Sequence, residues 1–372
     1  MSAIHANFNA IFDLRIGFRR PACVAQARMH QDLLTWTSQY RRPQLKDMLS
    51  PPFGWSQFLT APLNSRFPRA GRIRVRRFAG PAAYAGAMEP IRIAHLTDQH
   101  VGRITPFAIQ RQAVALTNAE RPDLVVITGD FVCHSQLYLD QLIELVRAFR
   151  APVIGVLGNH DYWAGADEVA AALRRGGVEV LRNDSTIITI RRQRLQVVGL
   201  DDAYTGHAQI DKAVAGLRRD LPTLALSHIA EEADHLWPYG IPLVLAGHTH
   251  GGQITVARLN DIAVGKIGGH KYVHGLYGTR QPRRGAVVTG AVYVGAGIGA
   301  SVMPFRIGER GKREITIFEF GRRPGEFEEP DREKAPLPGR TLSPRRMRRR
   351  AEKVIRRHTR RSLRRTVEMD SV

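Results

Sequence analysis

Cysteine is scarce in this chain of 372 residues: Cys23 and Cys133 are its two, far apart and in unlike surroundings. Such a pair excludes a disulfide framework and a thiolate zinc cluster, and it fits a reducing compartment. Long apolar runs are missing as well. No stretch of about 18 apolar residues occurs, so no membrane-spanning helix is expected. Arg19 and Arg20 are followed at once by Pro21 rather than by an apolar segment, so a signal peptide is not expected either. Acidic residues are outnumbered: 34 Asp and Glu stand against 55 Lys and Arg, a formal charge of +21. That surplus points to an anionic counterpart: nucleic acid, an anionic membrane surface or a phosphorylated substrate. A hydrophobic content of 43% still allows a sizeable core.

Three regions differ in composition. Residues 1–88 are basic, proline-scattered and weakly periodic. They read either as a flexible extension or as the product of an over-long gene start, with translation beginning near Met88. Residues 89–320 alternate apolar runs with helical patterns. Strands are expected at 91–97 (IRIAHLT), 123–129 (DLVVITG) and 152–158 (PVIGVLG), with helices over 106–120, 136–149 and 165–175 between and after them. This rhythm implies βαβ units and a parallel sheet. LQVVGL, TLALSH and IPLVLAGH follow as further strands, and residues 286–319 read as consecutive strands without helices. Residues 321–372 begin as a charged, proline-containing linker and become densely arginine-rich over 343–367. Met347, Ala351, Val354, Ile355 and His358 recur at helical spacing, which suits a basic amphipathic helix; a solvated, disordered tail is the plainer reading.

The chemistry gathers where strands end. LVLAGHTHGGQI places His248 and His250 two apart, directly after an apolar run, so both side chains can point to one side. Alone, an H-x-H pair is a weak metal signal. It has company, however. Asp98 and His100 follow the first strand, Asp130 the second, Asn159, His160 and Asp161 the third, and His228 the strand TLALS. A single Asp or His of this kind is most simply a capping or core residue. Five strands that each end in carboxylate, amide or imidazole groups are harder to obtain by accident. Parallel strands present their C-terminal ends along one sheet edge, where open α/β folds place ligands. Imidazole and carboxylate without thiolate suit Mn, Fe or Zn. With His160 and Asp161 set apart from the ligands, Asp98 and Asp130 are the only anions in the ligand set, so two divalent ions would leave a positive surplus that attracts phosphate. Paired metals also suit in-line attack at phosphorus.

The series Asp98-Gln99-His100, Gly129-Asp130, Gly158-Asn159-His160-Asp161, His228 and Gly247-His248-Thr249-His250 resembles the calcineurin-like metallophosphoesterases over about residues 91–320. GHTHGGQI, KYVHGLYG and VYVGAGIGASVMPFRI are most similar to a bacterial, membrane-associated subgroup. The resemblance implies a four-layer α/β/β/α sandwich and a metal-dependent phosphoric ester hydrolase. It implies that Asp98, His100 and His250 hold one divalent ion, that Asn159, His228 and His248 hold a second, and that Asp130 bridges them. A hydroxide shared by the metals is the implied nucleophile. His160 is the implied general acid or transition-state stabiliser, with Asp161 orienting it. Relatives within this family hydrolyse phosphodiesters or the pyrophosphate of a UDP-linked diacyl sugar, so a lipid-linked substrate is one expectation and a soluble nucleotide another. The cytoplasm is the expected location, with residues 339–367 as a peripheral contact to anionic lipid at the inner membrane face, or to nucleic acid.

Other residues bear on the same site. Arg306 is a candidate for contacting the substrate phosphate, whereas Arg280, Arg283 and Arg284 read as a solvated loop. His95 reads as a core histidine. His270 and His274 fall outside the ligand shells. GAGIGAS lacks the lysine of a phosphate-binding loop.

Overall fold

The computed structural model describes residues 73–252, 270–281, 290–300, 306, 311–327 and 333–336. Its strands are β1 (Arg74–Ala79), β2 (Ile91–Leu96), β3 (Leu124–Thr128), β4 (Val153–Val156), β5 (Val178–Leu181), β6 (Asp184–Ile190), β7 (Gln193–Gly199), β8 (Thr223–Leu226), β9 (Leu243–Ala246), β10 (Gly275–Gly278), β11 (Ala291–Val294) and β12 (Glu314–Phe320). Three longer helices are α1 (Phe107–Ala119), α2 (Leu139–Arg147) and α3 (Asn159–Arg175); α4 (Ile210–Ala213) and α5 (Ala233–Leu236) are single turns.

Two sheets form, with strand orders β1-β12-β2-β3-β4-β5 and β10-β11-β9-β8-β7-β6. The runs β2-β3-β4-β5 and β11-β9-β8-β7 are parallel, and antiparallel partners close them at β12, β10 and β6. The sheets face each other across one apolar layer. Ile93, Val126, Ile154 and Phe318 of the first sheet share it with Val197, Leu226, Leu245 and Tyr293 of the second. Alternation leaves Ala94, Leu96, Val125 and Ile127 on the other face of the first sheet, all buried. The crossover helices α1, α2 and α3 bury Ile109, Val114, Leu142, Leu145, Val169 and Leu173, as βαβ connections place helices on a sheet face. The second sheet is backed by α4, α5 and neighbouring turns around Val198, Ala213, Ala225, Leu236 and Val244. The fold is the expected α/β/β/α sandwich.

The boundary expected at residue 88 is displaced. β1 pairs in parallel with β12, and Phe78 is fully buried in the inter-sheet layer, so residues from 73 onward belong to the folded domain. Arg76 made this segment look like basic extension. Its guanidinium is buried against Glu314 at 3.2 Å, a partner 238 positions away. The segment expected as a linker, 322–338, also touches the domain. Lys334 exchanges backbone hydrogen bonds with Leu276 and Gly278 of β10, and Glu333 accepts from Arg280. Arg280, expected in solvent, is buried and also donates to the Ala79 carbonyl at 2.7 Å. The helix expected over 136–149 splits into a tight turn at Gln136–Tyr138 and α2. Among residues 286–319, only β11 and β12 are described strands, and Gly295–Ala300 leaves the sheet. The arginine-rich 343–367 lies outside the described residues. No helix among the described residues is long and apolar enough to cross a membrane.

Candidate metal centre

Seven expected ligands converge at the C-terminal edge of both sheets. Asp98 and His100 follow β2, Asp130 follows β3, and Asn159 opens α3 after β4. His228 follows β8, and His248 and His250 follow β9. The ligand atoms form two groups, Asp98–His100–His250 and Asp130–His228–His248, each with its atoms within 4.8 Å of one another. Nε2 of His100 lies 3.0 Å from Nε2 of His250, and Nε2 of His228 lies 3.1 Å from Oδ1 of Asn159 and 3.3 Å from Nδ1 of His248. Asp130 reaches into both groups, with its Oδ2 3.4 Å from His228 of its own and 3.6 Å from His100 of the other.

The backbone bends sharply to allow this. Asp98, His100, Asp130, His248 and His250 all have positive φ, between 44° and 74°. Non-glycine residues rarely adopt that region, at a cost of order 1–3 kcal/mol each, and such outliers cluster at functional sites. Close packing supports the bends. A Cβ at Gly247 would collide with Thr97 Oγ1, so only glycine lets β9 end against β2 here. The loop after β11 backs the centre, with Ile298 N and Gly299 N donating to the carbonyls of Thr97 and Asp98. Gln110 of α1 donates to the carbonyls of Gln99 and His100 at 2.9 and 3.2 Å.

Protonation follows burial. Desolvation holds His100, His160, His248 and His250 well below the usual imidazole range, so each is neutral and has a lone pair to offer. Burial opposes the charge of Asp130, but His228, His160 and His100 outweigh it and keep the carboxylate ionised. Burial pushes Asp98 up to about 6, opposed by His228. Burial also disfavours a charged His228, yet Asp130, Asp98 and Asp202 prevail and raise it to about 10. The cluster thus calls for positive charge at its centre, which a cation satisfies directly. Nδ1 of His228 faces the Thr128 carbonyl at 2.8 Å and keeps its proton there, so the inward Nε2 is the nitrogen on which a cation would replace a proton. Asp98 Oδ1 is buried without a hydrogen-bond partner, as an acceptor awaiting a cation would be. The donor set fits divalent ions.

Three residues depart from expectation. Asp161 does not orient the His160 ring. Its oxygens accept the backbone N–H of Val132, in the loop after β3, at 3.1 Å and of Gly158, the N-cap of α3, at 2.9 Å, where a helix start leaves its first amides without intrahelical acceptors. Arg306 donates to the carbonyls of Ala296 and Gly299 and to His250 Nδ1, the last at 3.0 Å. The bent backbone and the His250 ring take the terminal nitrogens of this guanidinium, while its Nε is buried without a hydrogen-bond partner. Its place is behind His250 rather than facing a phosphate. Cys133, dismissed as isolated, brings its sulfur within 4.8 Å of ligand atoms of His100 and His160. Burial and the Asp130 charge push its thiol up to about 11, so it stays protonated.

Sequence reasoning passed over Asp202, a fully buried carboxylate after β7 that accepts from Thr205 N at 2.7 Å and Thr205 Oγ1 at 2.6 Å. The signal was present: LQVVGLDD repeats the pattern of strand followed by carboxylate seen at Asp98 and Asp130. His95 is a core residue, bonded to Thr128 Oγ1 at 2.8 Å. His270 pairs with Glu231, and His274 with Glu314.

Residues 91–252 match the family model described as calcineurin-like phosphoesterase. Phosphodiesterase YaeI of Escherichia coli is 28% identical over 241 residues, covering 62% of this chain and 82% of that protein. The uncharacterised metallophosphoesterase YkuE of Bacillus subtilis is 28% identical over 233 residues, covering 61% and 78%. Among solved structures, a dimetal phosphatase from Danio rerio aligns with a TM-score of 0.33 and 14% identity, over 44% of this chain and 83% of that one. The match spans the strand ends that carry the cluster: over residues 91–252 the chain is similar to the calcineurin-like phosphoesterases, and with the phosphodiesterase relative this supports a metal-dependent phosphoester hydrolase.

Proposed function

We propose that the chain is a binuclear phosphodiesterase. Asp98, His100 and His250 hold one divalent ion, Asn159, His228 and His248 hold a second, and Asp130 serves both. The observation that carries this reading is the pair of three-residue groups, in which the ionised Asp130 carboxylate of one group lies 3.6 Å from His100 of the other. Divalent ions at such a centre supply Lewis acidity toward phosphoryl oxygens and acidify water at neutral pH. The remaining work falls to the chain. Neutral imidazoles leave the loaded centre cationic, which favours an anionic phosphoester over neutral solutes. His160, with Nε2 3.9 Å from Asp130 Oδ2, stands beside the centre and offers a ring N–H to the phosphoryl group or the departing oxygen. Asp161 holds the turn that carries it. Manganese, iron and zinc all suit this donor set.

A phosphodiester or pyrophosphate is the preferred bond, in keeping with the name of the Escherichia coli relative. A lipid-linked nucleotide such as a UDP-diacyl-sugar extends that reading. Its support is the arginine-rich 339–367, since each Lys or Arg near an anionic membrane contributes about 1 kcal/mol of attraction. In that reading the protein works peripherally at the cytoplasmic face. Hydrolysis of bis-p-nitrophenyl phosphate with added Mn²⁺, and again with a chelator, tests the core of the proposal. Turnover that the chelator abolishes and Mn²⁺ restores is expected. Metal-loaded, folded protein inert toward diesters and active on monoesters would reverse the bond assignment.

A further inference from the structure

Beside the metal cluster stands a set of aromatic rings that the hydrolytic chemistry does not use. Trp163 lies 4.7 Å from His160 between ring centroids, and His134 lies 4.0 Å from His160. His134 and Trp163 are parallel within 10° at 5.3 Å. Tyr204 meets Trp163 edge-on at 6.1 Å and reaches His248 at 5.1 Å. The rings form an arc running from His160 on one side of the cluster to His248 on the other. His134 is exposed, and Trp163 and Tyr204 are half-buried.

Two features place these rings deliberately. α3 is broken at Gly165, with φ 122° and ψ 94°, so its first turn is set apart from the rest of the helix and carries Asn159, His160 and Trp163 together. A φ of 122° is a backbone conformation that side-chain-bearing residues rarely adopt, so the break favours glycine. Tyr204 sits on the loop pinned by the buried carboxylate of Asp202, which accepts from Tyr204 N at 3.3 Å and from both donors of Thr205. A charge is thus buried to fix a loop whose ring faces the centre, an arrangement that stability alone does not favour.

We infer that the Trp163–Tyr204 arc is a subsite for a planar aromatic group attached to the scissile phosphate, a nucleobase or an aryl ester. This inference rests on the phosphoesterase reading above. Stacking needs a flat, polarisable partner, and the parallel His134–Trp163 pair is a two-ring platform that a third ring can extend. A purely aliphatic phosphoester gains nothing from it.

Calorimetric titration of Mn²⁺-loaded full-length protein with adenosine 5′-monophosphate, ribose 5-phosphate and adenosine tests the subsite. The nucleotide is expected to bind at least tenfold tighter than ribose 5-phosphate, about 1.4 kcal/mol. Trp163→Leu should erase that preference and Trp163→Phe should restore part of it, with ribose 5-phosphate affinity much less affected. Equal affinities in the wild type, or a preference that survives Trp163→Leu combined with Tyr204→Leu, would overturn the inference. Metal content of the same samples separates the two readings. Protein that takes up no metal yet binds adenosine through Trp163 keeps the subsite and loses the phosphoesterase assignment. Metal-loaded protein that binds both phosphates alike keeps the assignment and loses the subsite.

Discussion

The backbone N–H of His160 donates to Oδ1 of Asp130 at 2.8 Å, while Oδ2 of the same carboxylate faces His228 at 3.4 Å. One side chain therefore fixes the start of α3 to the end of β3 and also supplies charge to the cluster. Asp130→Asn keeps the oxygen that His160 needs and removes the charge. We expect a folded protein whose bound metal falls to one ion or fewer per chain and whose kcat/KM for a diester drops on the order of a hundredfold or more. Elemental analysis beside kinetics checks this. Full occupancy with retained turnover would remove Asp130 from its shared position.

Asp161 tests a different role. Its two acceptor bonds go to buried amides, so Asp161→Ala leaves Val132 N and Gly158 N unpaired. A buried unsatisfied amide costs about 1–3 kcal/mol, and the loss should appear as a lower Tm together with weaker metal binding. A residue that merely tuned the His160 ring would instead change the pH profile of turnover and leave Tm alone.

Truncation tests the upstream boundary. A chain starting at Met88 lacks β1 and with it Phe78, whose ring packs 5.6 Å from Phe318 and 5.3 Å from Tyr293. Phe78→Ala in the full chain should cost about 3–5 kcal/mol, and the truncated chain should fail to fold cooperatively. Urea denaturation followed by circular dichroism decides both.

His95 makes stability depend on pH. Burial pushes its pKa down to about 3, opposed by Glu314, so it stays neutral in the folded protein at pH values where the unfolded chain, near 6.5, binds a proton. The unfolded state then holds more protons. Stability from His95 is complete above about 6.5 and is lost as pH falls toward 3, with a slope of up to about 1.4 kcal/mol per pH unit. With chelator present, the urea midpoint of the wild type should fall more steeply between pH 7.5 and 5 than that of His95→Gln. Parallel slopes would contradict the assignment.

Gly247→Ala tests the close approach of β9 to β2. The added methyl collides with Thr97 Oγ1, which itself donates to Asp98 Oδ2 at 2.8 Å. Overpacking of this kind costs about 1–3 kcal/mol. Because the displaced group holds a ligand, metal affinity should fall along with Tm.

Local pattern was enough for much of this protein. The apolar runs that became β2, β3, β4, β8 and β9, and the Asp, Asn and His residues at their ends, could be read because strand periodicity and ligand chemistry are written in neighbouring residues. The centre follows from them, since parallel strands necessarily bring their C-terminal ends to one edge. What could not be read depends on partners distant in sequence. Arg76 looked like part of a basic extension until Glu314 neutralised it from β12. Asp161 looked like a partner for its neighbour His160, but the amide of Val132 lies within reach of its carboxylate only once β3 and α3 are packed. Arg306 looked available to a phosphate, yet the bent backbone at Ala296 and Gly299 claims it. Trp163 and Tyr204, 41 positions apart, become one wall only through the break at Gly165 and the pinned loop at Asp202. Residue type and spacing set which groups reach the edge of the sheet; desolvation and the hydrogen bonds of the folded backbone decided what each of them does there.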